Sequence, residues 1–212
     1  MSMDAARRRW LWRAGMVSLS GLGALSSAYF FSFATMQLPL GIWLDRFGSR
    51  KTHASLLCVA ALGCVCFGLS QETWMLWIGR ALIGMGVSGA LMASFRAFRF
   101  WYPAEQQSQL ASWMLVAGSM GALASTLPVQ WALPVMGWRG LFNLIAILLV
   151  TASTLIFFLL PAEPAPQAGS SGNPWAGYIT VFKDRYFWRF AAPGIGMQAS
   201  FVAFQSLWAG PW

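Results

Sequence analysis

The 212-residue chain is 58% hydrophobic and 9% charged, with a mean hydropathy of +0.57. A soluble domain is nearer ~45–50% apolar and ~25% charged, so the composition excludes one. It predicts an all-α integral membrane protein with about six transmembrane helices, because apolar stretches of roughly 20 residues recur and the alternation of barrel strands is absent. The net charge of +8 reads as the cation excess of cytoplasmic loops rather than as nucleic-acid binding, for which no motif is present.

In chain order, a basic segment (residues 1–13, with Arg7, Arg8, Arg9 and Arg13) precedes a first span at Ala14–Leu44. Ser26-Ser27-Ala28 imitates a signal-peptidase site, but the apolar run continues to Leu44, and cleavage there leaves too little to cross a bilayer. Gln37 and Pro39 fall in the last turns of this span. The stretch Gly41–Lys51 then reads as a short charged loop, the first helix ending at Leu44 and the next beginning after His53. It holds the carboxylate of Asp45, the cations Arg46, Arg50 and Lys51, and the glycines Gly41 and Gly48. His53 reads as a surface residue of the same loop.

The second span, Ser55–Gln71, contains Cys58, Cys64 and Cys66, whose spacing fits neither a zinc site nor a redox pair; they read as small buried hydrophobes. The connection Gln71-Glu72-Thr73 allows only an antiparallel hairpin. The third span, Thr73–Phe95, carries Arg80, Gly84, Gly86 and Gly89. A guanidinium within a span costs roughly 2.5–3.5 kcal/mol on insertion scales, so Arg80 is expected to face a cavity or partner, with snorkelling to the interface as the alternative. Arg96, Arg99, Tyr102, Pro103 and Glu105 follow as an interfacial loop.

The fourth span, Gln106–Trp138, presents Gly118, Gly121, Ala122, Ala124 and Ser125, small residues that let helices approach closely in lipid; Pro128 and Pro134 break its far end. After the turn Gly137–Gly140, Leu141–Leu160 reads as a lipid-facing helix. Pro161–Asn173 reads as a flexible linker, and Trp175–Arg189 as an amphipathic interfacial stretch with Lys183, Arg185 and Arg189 among aromatics. The last span is Phe190–Trp212, where Gln198, Gln205 and Ser206 are candidates to line a pathway. With the Asp45 loop inside, eight loop cations lie inside and only Arg139 outside, as the positive-inside rule requires. The four N-terminal arginines then fall outside, and a further span upstream is the simplest repair.

Gly41-x-x-x-Asp45-Arg46-x-Gly48-x-Arg50-Lys51 resembles the signature loop between the second and third helices of major facilitator superfamily transporters. Arg80-x-x-x-Gly84-x-Gly86 resembles that superfamily's fourth-helix motif, with Ile83 in place of a polar residue. Ala122 stands where the family's drug/proton antiporters have proline, which weighs against that assignment. The resemblance implies helices two to seven of a twelve-helix fold. Residues 14–160 then belong to its N-terminal half without the first helix, 161–189 to the cytoplasmic linker, and 190–212 to the first helix of the second half. It also implies a multi-pass inner-membrane protein that moves a small solute by alternating access, with protons a candidate coupling ion.

In the family the signature loop, here Gly41, Asp45, Arg46, Gly48, Arg50 and Lys51, latches the two halves on the cytoplasmic side. Asp45 faces a helix N-terminus there, and the cations pair with it or with phospholipid. Arg80, Gln198 and Gln205 become candidates for substrate or proton coupling. Gly84, Gly86, Gly89, Gly118 and Gly121 become helix-packing positions. The expected partners are the solute, the lipid bilayer and the missing half of the transporter, and no nucleic acid. The spans hold one Arg and no acid, which leaves no constellation for an enzyme; no metal ligand set, cofactor site or Walker-type loop is visible. The 212 residues alone are expected not to transport.

Overall fold

The computed structural model describes residues 19–161, 163 and 176–203. The basic N-terminal segment, most of the Pro-rich linker, Gln205 and Ser206 lie outside the described residues. Every described element is a helix. The chain divides into two compact units, Met1–Pro166 and Gln167–Trp212. The first holds α1 (Leu19–Gly68), α2 (Thr73–Val87), α3 (Ala90–Trp101), α4 (Ala104–Ala124) and α5 (Leu127–Leu159); the second holds α6 (Ala176–Lys183) and α7 (Arg185–Ala203).

Helix α1 is not one rod. Its apolar portion, Leu25–Gly68, has 44 residues, roughly 66 Å at ~1.5 Å per residue, twice the ~30 Å of a bilayer core. Gly48, at φ 77° and ψ 169°, lies in a region essentially open only to glycine and divides α1 into limbs 19–47 and 49–68. The expected loop is therefore a one-residue hinge, and His53 is half-buried in the second limb rather than in a loop. Helix resumes at once, with the two limbs tied across the turn. The Thr52 hydroxyl donates across the hinge to the Trp43 carbonyl at 3.2 Å, which ties the start of the second limb to the end of the first.

Two further boundaries differ from the sequence expectation. The third span breaks at Ser88–Gly89 and resumes as α3 to Trp101, so Arg96 and Arg99 are helical residues and not part of a loop. The fourth span stops at Ala124. Its expected far end opens α5, where Pro128 sits in the first turn and its missing N–H costs nothing. The break falls at Gly137 (φ 67°, ψ 170°), the same glycine-only region as Gly48. The two limbs of α1 cover the first two expected spans, and the second limb of α5 covers the fifth. Three helical runs among the described residues are long and apolar enough to cross a membrane: Leu25–Gly68, Thr73–Trp101 and Pro128–Leu159.

The core of the first unit joins Met36, Leu40 and Leu44 of the first limb to Leu56 of the second and Ala93 of α3, with Met85 of α2 alongside. In lipid no hydrophobic force drives helices together, so close van der Waals fit and interhelical hydrogen bonds carry the packing. A Cβ on Gly86 would fall within the backbone of Ala60, and one on Gly84 would meet Tyr29 and Ser32. Gly89 is close-packed against Leu56. Buried Ser153 of α5 donates to the Ala54 carbonyl at 2.8 Å, with the Cys58 thiol 3.3 Å from its hydroxyl. Gly118 and Gly121 do not follow this pattern: a Cβ at either would meet nothing within 4 Å. The reason is that α4 buries none of its residues, so its small residues have no helix to approach in this structure.

Candidate functional site

Where the two limbs of α1 meet the ends of α3 and α5, four charged side chains converge. Arg96, on the last turns of α3, donates through Nη1 to Asp45 Oδ1 at 2.5 Å and through Nε to Glu163 Oε2 at 3.1 Å. Its side chain is 18% exposed, against 77% for Asp45 and 6% for Glu163. The guanidinium also lies 5.2 Å from the Phe100 ring centroid.

Glu163 closes the hinge from the other side. Its Oε1 accepts the Ser49 backbone N–H at 2.7 Å and the Ser49 hydroxyl, so it caps the N-terminus of the second limb from outside the helix. Burial pushes the Glu163 carboxyl up, but the Ser49 and Arg96 hydrogen bonds and the Arg96 charge together outweigh it, holding the group below the usual carboxylate value. A carboxylate with three donors is stabilised in its charged form. Arg50 serves the third element: Nη1 donates to the Leu160 carbonyl at 3.3 Å, and the guanidinium stacks 5.1 Å from Phe157. Leu160 is the residue that ends α5, and a cation at a helix C-terminus is favourable.

Of the residues the sequence singles out, Asp45 and Arg50 join this cluster, and Gly48 makes its turn. Asp45 pairs with Arg96 and not with the neighbouring cations: Arg46 lies 5.5 Å from the Phe47 ring, and Lys51 is exposed. Helical geometry explains this, since Arg46 and Asp45 point about 100° apart. Gly41 is half-buried one turn earlier. Arg96, Glu163 and Ser49 were missed as site residues. Arg96 reads as a loop cation and Glu163 as a residue of the linker, and no local spacing ties either to Asp45.

Arg80 stands apart from this cluster. Half-buried on α2, its guanidinium lies 4.9 Å from the Phe67 ring centroid and 5.9 Å from that of Phe142, and its Nε is buried without a hydrogen-bond partner. Among the described residues it forms no ion pair. Each ring contact contributes ~0.5–2 kcal/mol, which offsets much of the cost of placing the charge there. Nearby, Arg139 donates to the Ser70 carbonyl at 3.1 Å and stacks on Trp138. Gln198 is an exposed residue of α7 in the second unit.

A family model described as Major Facilitator Superfamily matches residues 11–210. The chain is 26% identical over 149 residues to the probable sulfoacetate transporter SauU of Cupriavidus necator, covering 70% of this chain and 34% of that protein. It is 28% identical over 143 residues to the inner membrane transport protein YajR of Escherichia coli, covering 66% and 30%. It is 25% identical over 177 residues to the nitrate/nitrite transporter NrtP of Nostoc punctiforme, covering 76% and 33%. The chain thus spans about a third of the length of the curated relatives it matches. No solved structure matches it. With the family match running through all the described helices, the chain belongs to the major facilitator superfamily.

Proposed function

We propose that this chain supplies helices of a secondary transporter that moves a small solute across the inner membrane by alternating access, and that the charged hinge is its cytoplasmic latch. The observation that carries the reading is Arg96, shared between an exposed Asp45 and a buried Glu163. An exposed carboxylate at a helix end is free to engage a facing helix, while the buried one keeps the arginine in place. Counted from the order of spans in the sequence, eight cations fall on the side of Asp45 and only Arg139 on the other, which supports a cytoplasmic placement. Arg80, whose Nε lacks a partner, is assigned to substrate or proton coupling, with Gln198 and Gln205 along the pathway. The names of two relatives make small oxyanions the first solutes to try. The proposal includes a complementary set of helices against which Asp45 closes, and no covalent chemistry.

The test is uptake of labelled sulfoacetate and nitrate into proteoliposomes holding the 212-residue chain, alone or with the C-terminal half of SauU. Flux is expected only in the combined preparation and is lost in Arg80→Gln. Saturable, Arg80-dependent flux from the chain alone refutes the need for other helices, and absence of flux in both preparations refutes transport of these solutes. A second reading, an assembly partner that does not transport, is favoured by α4, none of whose residues is buried. It predicts copurification with the complementary half but no flux.

A further inference from the structure

The elbow between α6 and α7 carries a basic and aromatic patch that takes no part in the proposed latch. Asp184 alone separates Lys183 from Arg185, and Arg189 follows one turn on. The Asp184 carboxylate accepts the Tyr186 backbone N–H at 2.9 Å, and among the described residues it forms no ion pair with these cations. Arg185 and Arg189 stand at i and i+4 on one face of α7, a like-charge spacing that is unfavourable unless an anion lies between them. Around them Phe182, Phe187 and Trp188 form a ring cluster with centroids 5.4–6.0 Å apart. The Trp188 indole donates to the Phe182 carbonyl at 2.9 Å, and Arg189 lies 5.5 Å from the Tyr186 ring. Phe182, Tyr186, Trp188 and Phe190 are exposed.

We propose that this elbow is a docking surface for anionic phospholipid headgroups. Three cations against one carboxylate favour a negative surface, and rings of this kind settle at headgroup level. The remainder of α7, from Phe190 to Ala203, contains no charged residue, so the patch sits where an uncharged helix meets polar surroundings. The occupant is the bilayer in which a member of this superfamily resides. The inference rests on the family membership and on this geometry, and stands or falls separately from the transport reading.

The test is hydrogen exchange on the full chain in nanodiscs of phosphatidylcholine, with and without phosphatidylglycerol. Each cation near an anionic surface is worth about a fivefold preference. Amides of residues 183–189 are therefore expected to exchange at least about fivefold more slowly with phosphatidylglycerol present, and added salt should reverse this. The variant Lys183→Gln/Arg185→Gln/Arg189→Gln should lose the difference, while Arg185→Lys/Arg189→Lys keeps it. Equal exchange in the two bilayers overturns the proposal, as does a triple variant that responds like the native chain. So does recovery of the slowing by inorganic phosphate in phosphatidylcholine discs, which would mark a free-phosphate site. If the triple variant fails to reconstitute, the salt reversal in the native chain decides the matter.

Discussion

Replacing Glu163 by Gln tests which carboxylate holds the hinge. Gln keeps the size of the side chain and one oxygen for Ser49, but it presents an NH2 group to the Arg96 Nε, 3.1 Å from the present carboxylate. A hydrogen bond to a charged group contributes ~1.5–3 kcal/mol, and with Glu163 only 6% exposed solvent cannot replace it. In a chain of this length each kcal/mol moves the midpoint by ~2–4 °C, so a fall in Tm of roughly 3–12 °C is expected. Asp45→Asn removes the other half of the same arginine's pairing, but Asp45 is 77% exposed, and exposed pairs contribute ~0–1 kcal/mol. The assay is thermal unfolding in detergent followed by thiol accessibility at Cys64, which is buried in the native chain, with the exposed Cys58 and half-buried Cys66 replaced by Ala in every variant compared. Equal losses in the two variants, or a larger loss in Asp45→Asn, would refute the reasoning.

Acid should act through the same group. The Glu163 pKa is lowered in the folded chain, so its contribution is complete above the unfolded value of ~4.3 and is lost as pH falls through the lower folded value. A stability profile in acid should show this loss in the native chain, and Glu163→Gln should flatten it. Gly48→Ala should cost ~1–3 kcal/mol because φ 77° with ψ 169° is strained for any side chain, read as a lower unfolding midpoint. Gly86→Ala should cost ~1–3 kcal/mol by overpacking, since its Cβ would overlap the backbone of Ala60. Gly118→Ala, facing open space, should be neutral or stabilise the chain by up to ~1 kcal/mol through helix propensity; paired melting curves of these two variants separate the cases.

Hydropathy placed the helical segments well, because a span must be apolar along its whole length wherever its neighbours lie. It also located the first hinge, since Gly48 and the charges around it are local signals. It missed how short that hinge is: only one residue leaves the helix, and the contacts that hold it come from Thr52 and from Glu163, the latter 114 residues from Ser49. Arg96 escaped for the same reason, lying 51 residues from Asp45 and 67 from Glu163. The prolines misled in the fourth span, where Pro128 starts a helix and Gly137 breaks one. Small-residue spacing could not distinguish Gly84 and Gly86, which are tightly covered, from Gly118 and Gly121, which are not, because coverage belongs to the neighbouring helix.

The unequal burial of the two carboxylates bears directly on the proposed latch. If Asp45 were the sole partner of Arg96 and buried with it, withdrawing it would leave an uncompensated charge, at ~3–5 kcal/mol. With Glu163 retained at 3.1 Å and Asp45 largely in solvent, the same withdrawal costs no more than an exposed pair does, ~0–1 kcal/mol. Ser49 and Glu163 meanwhile hold the second limb of α1 to the end of α5, so the hinge geometry survives the exchange of partners. A latch has to open without unfolding what it is attached to, and this division between a fixed and an exposed carboxylate meets that requirement with a single arginine.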